Sequence, residues 1–178
     1  MIIVLLADGF EEIEALTPVA MLRRAGLDVK TVGIMGMTPT GAHGIKVVCD
    51  TSPEEIDLSK VTMAVFPGGM PGATNLDESK VVDHFINRAV NEDKFISAIC
   101  AAPFILGKRG ILNGKRAACY PGFENELLGA TVITDGCVRD GKIITARAMG
   151  KSHDFALEII EALCDKETRQ RLKDAVLY

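Results

Sequence analysis

The sequence is poor in aromatic residues and has no excess of basic ones. It contains no tryptophan, only 5% of its residues are aromatic, and its 20 Lys and Arg are outnumbered by 24 Asp and Glu, which leaves a net charge of −4. Nucleic-acid binding depends on clustered basic residues that displace counterions and on aromatic rings that stack on bases. These shortages argue against nucleic acid as a partner and favour a small ligand.

Long apolar runs and paired cysteine motifs are also missing. The apolar run that begins at Ile2 ends at Ala7, whereas a membrane helix needs about 20 such residues and a signal peptide needs a basic start. We therefore expect no membrane segment and no export. None of the five cysteines forms a CxxC pair, which favours reduced thiols in the cytoplasm. They are Cys49, Cys100, Cys119, Cys137 and Cys164.

Metal and cofactor motifs are absent as well. The three histidines, His43, His84 and His153, have no metal-ligand spacing with one another or with the cysteines. The stretch ARAMGKS resembles the end of a phosphate-binding loop, but Thr145 stands where that motif requires glycine. We therefore predict that the protein uses neither a metal nor a cofactor.

What the sequence does contain is an alternation of apolar runs, bounded by Gly or Pro, with segments of helical period. This alternation predicts a single α/β domain over residues 1–178 with a mostly parallel sheet between helices. The predicted strands are IIVLLA, LDVKTVGI, IKVVCD, VTMAVFPGG, KFISAIC, the short strands KRAACY and ATVITD, and the hairpin CVRDGKIITARA. The predicted helices are EEIEALTPVAMLRRAG, ESKVVDHFINRAV, AAPFILGKRG and SHDFALEIIEALC.

Cys100 lies where a predicted strand passes directly into a predicted helix, in FISAICAAP. A sharp nucleophile turn needs small residues two positions before and after the nucleophile, and here these are Ala98 and Ala102. Pro103 suits the first helical turn, so the helix can begin just behind the thiol and favour its thiolate. A buried, inert core cysteine is the alternative.

Two further stretches end strands at the same predicted edge of the sheet. FPGGMPG places Gly68 and Gly69 at a strand end, where backbone N–H groups can approach an oxyanion closely, although a simple tight turn is the alternative. DGFEEIEALTP places Glu14 early in a helix, four residues before Pro18. Because proline has no N–H, Pro18 is expected to kink the helix; alternatively, Thr17 and Pro18 form the N-cap and first position of a helix. In both cases the backbone near Glu14 is expected to be irregular.

The stretches ADGFEEIEALTPVAMLRRAG, FPGGMPGATNL and AICAAP, in this order, resemble the ThiJ/PfpI superfamily. Within it, they resemble most closely the branch with the parkinsonism-associated protein deglycase and its bacterial relatives. The resemblance implies a flavodoxin-like sandwich, usually a homodimer, with an oxidation-prone cysteine at position 100. It also implies a protonated Glu14 hydrogen-bonded to that cysteine, with the N–H groups of Gly69 and Ala101 facing the sulfur as an oxyanion hole.

Two positions depart from patterns in this superfamily. Peptidase-like members carry His directly after the nucleophile, where this sequence has Ala101, so peptidase activity is not expected. Close relatives often place a His near the pocket where this sequence has Tyr120. Proton transfer must then depend on Glu14 or water. We include Gly68 and Tyr120 as candidate pocket residues.

From the resemblance we expect a cytoplasmic enzyme of the hydro-lyase or hydrolase type, linked to carbonyl and oxidative stress. Cys100 is the expected nucleophile and Glu14 the acid and base. The expected substrates are small α-oxoaldehydes, as for a glutathione-independent glyoxalase, or early glycation adducts, as for a deglycase. The alternative is a non-catalytic redox sensor or chaperone that uses the oxidation of Cys100.

Overall fold

The computed structural model describes residues 1–178, in which strands alternate with helices. The strands are β1 (Ile2–Leu6), β2 (Val29–Gly33), β3 (Met63–Phe66), β4 (Phe95–Ile99), β5 (Arg116–Ala117), β6 (Thr131–Val132), β7 (Cys137–Asp140) and β8 (Ile143–Ala146). The helices are α1 (Glu12–Arg24), α2 (Gly72–Asp77), α3 (Lys80–Asn91), α4 (Pro103–Lys108), α5 (Ser152–Leu163) and α6 (Lys166–Ala175).

Six of the strands form one sheet in the order β2-β1-β3-β4-β8-β7, and β5 pairs with β6 separately. All neighbouring strands in the large sheet are parallel except β7, which is antiparallel to β8 and connected to it by a tight turn. The predicted α/β class with a mostly parallel sheet is therefore confirmed. None of the helices is both long and apolar enough to cross a bilayer.

The central strands are apolar along their whole length because both faces of the sheet are covered. In β1, Ile3 and Leu5 face a core that also includes residues of α2, α3 and α4. Ile2, Val4 and Leu6 face the opposite core, which α1 and α5 complete. Side chains alternate between the two cores because successive residues of a strand point to opposite faces.

One predicted strand is wrong. IKVVCD forms no regular strand; an isolated bridge joins Thr40 to Lys46, and another joins Val32 to Thr51 just beyond the segment. Only part of its apolar surface is buried: Val48 is 76% exposed and Ile45 is 54% exposed, whereas Cys49 belongs to a core and Val47 packs against it. The segment instead runs over the surface beside β2.

The order of the sheet reverses direction at β1, because β2 lies on one side of it and β3 on the other. In open α/β sheets, the carboxyl ends of the strands beside such a reversal form a crevice that binds ligands. Here β1 leads into α1, β3 leads into the glycine pair at 68 and 69, and β4 ends at Cys100. The topology therefore gathers the three predicted stretches at one edge.

Candidate active site

Cys100 occupies a sharp turn between β4 and α4. Its φ of +64° is in the left-handed region that residues with a side chain rarely adopt. Its N–H donates to the carbonyl of Ala146 (N···O 2.9 Å), and its own carbonyl accepts from the N–H of Tyr120 (2.7 Å). Hydrogen bonds on both sides of the residue therefore hold the strained turn in place.

The neighbours of Cys100 have the sizes that the turn requires. Ala98 and Ala102 are both fully buried, so larger side chains have no room at either position. Pro103 is the first residue of α4, as predicted, and the half-buried thiol therefore stands directly before the helix. Cys100 therefore lies in a tight turn between β4 and α4 with small residues on both sides.

Glu14 is 0% exposed although it is ionisable. It lies in the first turns of α1, which continues through Pro18 without a break, so the irregularity predicted near Glu14 does not end the helix. Its Oε2 atom accepts from the N–H of Gly68 (2.9 Å), whereas Oε1 has no donor in hydrogen-bonding geometry. An ionised carboxylate here would be poorly compensated, which favours the protonated acid.

Gly68 brings Glu14 and Cys100 together. A Cβ atom at this position would lie 2.6 Å from Oε2 of Glu14 and 2.8 Å from Cβ of Cys100. Both side chains therefore occupy the space that any residue other than glycine would need. The carboxyl and the thiol are neighbours because position 68 has no side chain.

The carboxyl and the thiol influence each other's ionisation. Burial raises the pKa of Glu14 from its ordinary 4.5 to about 7. Burial, and next the charge of an ionised Glu14, raise the pKa of the Cys100 thiol above its ordinary value. The sequence predicted a lowered thiol pKa from the start of the helix. The structure gives the opposite direction, because the thiol is buried beside a carboxyl and α4 has only six residues.

The backbone N–H groups of Gly69 and Ala101 both act on the Cys100 sulfur and lower its pKa. Gly69 has a φ of +85°, and a Cβ there would lie 2.3 Å from the backbone nitrogen of Glu11, so only glycine allows this close approach. The structure thus brings together Glu14, Gly68, Gly69, Cys100 and Ala101. Tyr120 joins them through its backbone, while its side chain is 47% exposed at the rim.

A second group of charged side chains at the start of α1 was missed from the sequence. Glu12 is only 3% exposed and accepts two hydrogen bonds from His43, one from its backbone N–H (2.8 Å) and one from Nδ1 (2.8 Å). Glu11 also lies 3.5 Å from this ring nitrogen. These three residues are the one place where metal-ligating atoms gather. Hydrogen bonding between Glu12 and His43 accounts for the group, and we assign it no metal.

Comparison with known proteins agrees with this fold. The model of the DJ-1/PfpI family matches residues 1–162. The chain belongs to the DJ-1/PfpI family. It is 34% identical to protein dj-1beta of Drosophila melanogaster over 98% of this chain and 95% of that protein. The crystal structure of Drosophila melanogaster DJ-1beta superposes with a TM-score of 0.93 over 99% of this chain and 96% of that one, at 33% identity.

Two other members of the DJ-1/PfpI family carry names that describe an activity. A deglycase from Pyrococcus abyssi is 30% identical over 91% of this chain and 98% of that protein. A glutathione-independent glyoxalase from Caenorhabditis elegans is 29% identical over 91% of this chain and 87% of that protein.

Proposed function

We propose that this protein carries out cysteine-dependent carbonyl chemistry on small α-oxoaldehydes, as a glutathione-independent glyoxalase. One observation carries the proposal: a half-buried thiol and a fully buried carboxyl of raised pKa meet around Gly68. Two backbone N–H groups also act on the sulfur. The names of the two relatives with stated activities support the same chemistry. Early glycation adducts, the substrates of a deglycase, are the second substrate class.

The carboxyl of Glu14 and the thiol of Cys100 share one proton. In the reactive form of the site this proton is on Glu14 and Cys100 is a thiolate. This form has the same net charge as the one in which Cys100 is a thiol and Glu14 a carboxylate. Protonation places a donor on Oε1, the carboxyl oxygen that otherwise has no partner, and lets it hydrogen-bond to the sulfur. The N–H groups of Gly69 and Ala101 stabilise the thiolate from the other side. Removing the charge of Glu14 also removes its repulsion of the thiolate.

The reaction begins when the thiolate attacks the aldehyde carbon of methylglyoxal. A carbon–sulfur bond forms, the carbonyl electron pair moves to oxygen, and the resulting alkoxide is stabilised by the N–H groups of Gly69 and Ala101 before it takes the proton of Glu14. Glu14, now a carboxylate, removes the proton from C1. The hydroxyl proton then moves from the C1 oxygen to the C2 oxygen and Glu14 returns its proton to C2, which converts the hemithioacetal into a thioester. Water cleaves the thioester, so methylglyoxal plus water yields lactate and the free thiol.

Substitution of the two central residues tests this proposal. Glu14→Gln keeps the shape and a hydrogen-bond donor but removes the transferable proton, so we expect turnover to fall by about 10²-fold to 10⁴-fold. Cys100→Ser is expected to abolish it, because the nucleophile is lost. Loss of methylglyoxal and formation of lactate are measured together in the wild type and both variants. Turnover that survives Cys100→Ser would contradict the proposed nucleophile.

A redox sensor or chaperone is the second candidate. It is favoured by the two backbone N–H groups, of Gly69 and Ala101, that act on the sulfur of the half-buried Cys100. These N–H groups would donate hydrogen bonds to the oxygens of a sulfinate, and a protonated Glu14 would donate to one of the same oxygens. Peroxide titration followed by mass spectrometry tests this role. A sensor is expected to consume no methylglyoxal and to show a sulfinate yield that changes in Glu14→Gln. A yield indifferent to Glu14 would exclude it.

We also propose that residues 1–178 work as one domain, as a homodimer and in the cytoplasm. Four exposed apolar side chains lie in the segment after β2 and a fifth lies on α1, which supports a second copy as the partner. They are Ile13, Met35, Met37, Ile45 and Val48. Five free cysteines are typical of a reducing compartment. Ala101, in place of His, gives no support for peptidase activity.

A further inference from the structure

A cleft of about 490 Å³ lies at the edge of the sheet opposite to Cys100. It is formed where β4 and β8 begin, beneath the end of α3 and beside the loop that follows α4. Its volume is within the range of about 300–1,000 Å³ that is usual for small-molecule sites. None of its lining residues belongs to the site around Cys100 and Glu14.

The floor of this cleft is apolar. Ile96 and Ile143 are buried at the starts of their strands, and the ring of Phe95 is half-buried beside them. Ile111 and Val90 extend the apolar surface on either side, and Val90 is 50% exposed. A flat hydrocarbon body placed here would remove this surface from water, which is favourable in proportion to its area.

Three lysines surround the floor, and none of them has a carboxylate partner. Lys94, Lys115 and Lys142 line the cleft and are half-buried, yet none takes part in any of the ion pairs of the structure. Nζ of Lys142 lies 4.3 Å from the centroid of the Phe95 ring, so at least one ammonium group is held above the floor. Lys94 and Lys115 are also half-buried, which is typical of lysines whose stems lie along an apolar surface.

The acidic residues near the cleft compensate only part of this positive charge. Asp93 is the one carboxylate in the lining. Glu92 is paired with Arg88 (2.8 Å), and Asp140 accepts from the backbone N–H of Arg116 (2.9 Å). The cleft is therefore locally positive in a chain whose net charge is −4.

The end of α3 explains only part of this arrangement. Lys94 follows that helix, and cations near a helix C-terminus are generally favourable. Lys115 comes from the loop before β5, however, and Lys142 comes from the turn between β7 and β8. Three separate segments thus bring unpaired ammonium groups to one apolar floor.

We propose that this cleft is a binding site for a small aromatic anion, whose ring lies on the floor and whose phosphate or carboxylate is held by the three lysines. Charge complementarity selects an anion, and the floor selects an apolar body over a simple inorganic ion. The proposal is independent of the chemistry at Cys100.

Calorimetric titration with 1-naphthyl phosphate and with 1-naphthoate tests the proposal. We expect one site per chain for at least one of them, with affinity that weakens as salt is raised because the lysine charges are screened. 1-Naphthol and inorganic phosphate, which each lack half of the recognised features, are expected to bind at least tenfold more weakly. The better of the two anions identifies the acidic group. Absence of binding by both would overturn the proposal.

Matched variants locate the site. We expect the combined change Lys94→Gln, Lys115→Gln and Lys142→Gln to weaken binding at least tenfold. The combined change Lys30→Gln, Lys46→Gln and Lys166→Gln removes the same charge from exposed positions outside the cleft and is expected to change affinity less than twofold. Equal weakening by both sets would show only a general charge effect and would reject the site.

Two further variants guard against misfolding and against binding elsewhere. Lys142→Gln alone, which alters one ammonium group above Phe95, is expected to weaken binding about threefold without lowering the unfolding temperature. Cys100→Ser is expected to leave binding unchanged. Loss of binding in Cys100→Ser would place the anion at the other edge of the sheet, and wild-type affinity in both Lys142→Gln and the triple variant would also overturn the proposal.

Discussion

At the scale of single residues, the buried carboxyl of Glu14 links the stability of the fold to pH. Its folded-state pKa is about 7, against an ordinary value of 4.5. Because the folded-state value is the higher one, the contribution of the protonated acid is complete below pH 4.5 and is lost as the pH rises through 7. The difference corresponds to about 3 kcal/mol.

The expected result is that Glu14→Gln becomes more stable relative to its parent as the pH rises from 4.5 to above 7, by about 3 kcal/mol in total. Urea unfolding at several pH values measures this difference. Both chains carry Cys100→Ser, so that the thiol does not titrate, and the contribution of Glu12 cancels because both contain it. A difference that does not change with pH would show that Glu14 does not bind a proton more tightly in the folded state.

The reactivity of Cys100 provides a second test at this scale. Because the carboxyl and the thiol are coupled, their protons leave in two steps that belong to the pair. We therefore expect the rate of iodoacetamide alkylation at Cys100 to depend on two ionisations in the wild type and on one in Glu14→Gln. Peptide mass spectrometry separates Cys100 from the exposed Cys164. Identical pH profiles in the two proteins would show that Glu14 and Cys100 titrate independently.

At the scale of structural elements, the turn after β3 is the part of the site that depends most on the absence of a side chain. In Gly68→Ala the new methyl group would meet the carboxyl of Glu14 and Cβ of Cys100, both closer than 3 Å. We expect these groups to separate and methylglyoxal turnover to fall by about 10²-fold, since a displacement of about 1 Å has this effect on reacting groups.

Gly150→Ala is the matched control for this change. A Cβ at Gly150 meets nothing within 4 Å, although the residue follows Met149, whose backbone also contacts Glu14. Its turnover is expected to stay within twofold of the wild type. Equal activity of Gly68→Ala and Gly150→Ala would show that the carboxyl and the thiol do not need their present spacing.

The elements also show how far sequence reasoning extends. β1, β3, β4, α1 and α3 were predicted because their apolar periodicity reflects the faces that they bury. Helix α6 was missed because Leu172 is its only buried residue, so it has almost no apolar face. The segment IKVVCD was wrongly predicted as a strand for the opposite reason. Its apolar residues suggest burial, but Ile45 and Val48 are exposed.

The site was predictable in the same uneven way. Cys100 and the glycine pair are contained in short motifs, and the place of Glu14 followed from the family resemblance. The contact between Glu12 and His43 joins residues 31 positions apart and has no local pattern. The raised pKa of the Cys100 thiol was missed because burial and a neighbouring carboxyl depend on packing, which a motif does not contain.

At the scale of the whole molecule, the exposed apolar residues on α1 and after β2 are expected to meet those of a second copy. Sedimentation at micromolar concentration should then give a species near twice 19.1 kDa. Val48→Asp is expected to shift it towards the monomer, because a buried unpaired charge opposes association. Leu128→Asp, at an exposed apolar residue outside these two segments, is the control. A wild-type protein that sediments only as a monomer would refute the dimer.

The left-handed backbone at Cys100 also has a consequence for which substitutions evolution would favour at this position. Glycine adopts a φ of +64° without strain, whereas a residue with a side chain loses about 1 kcal/mol or more there. Folding alone would therefore favour glycine at this position. A lineage that no longer needed the sulfur would be expected to drift towards glycine. A sister sequence with glycine there would have kept the architecture and given up the chemistry.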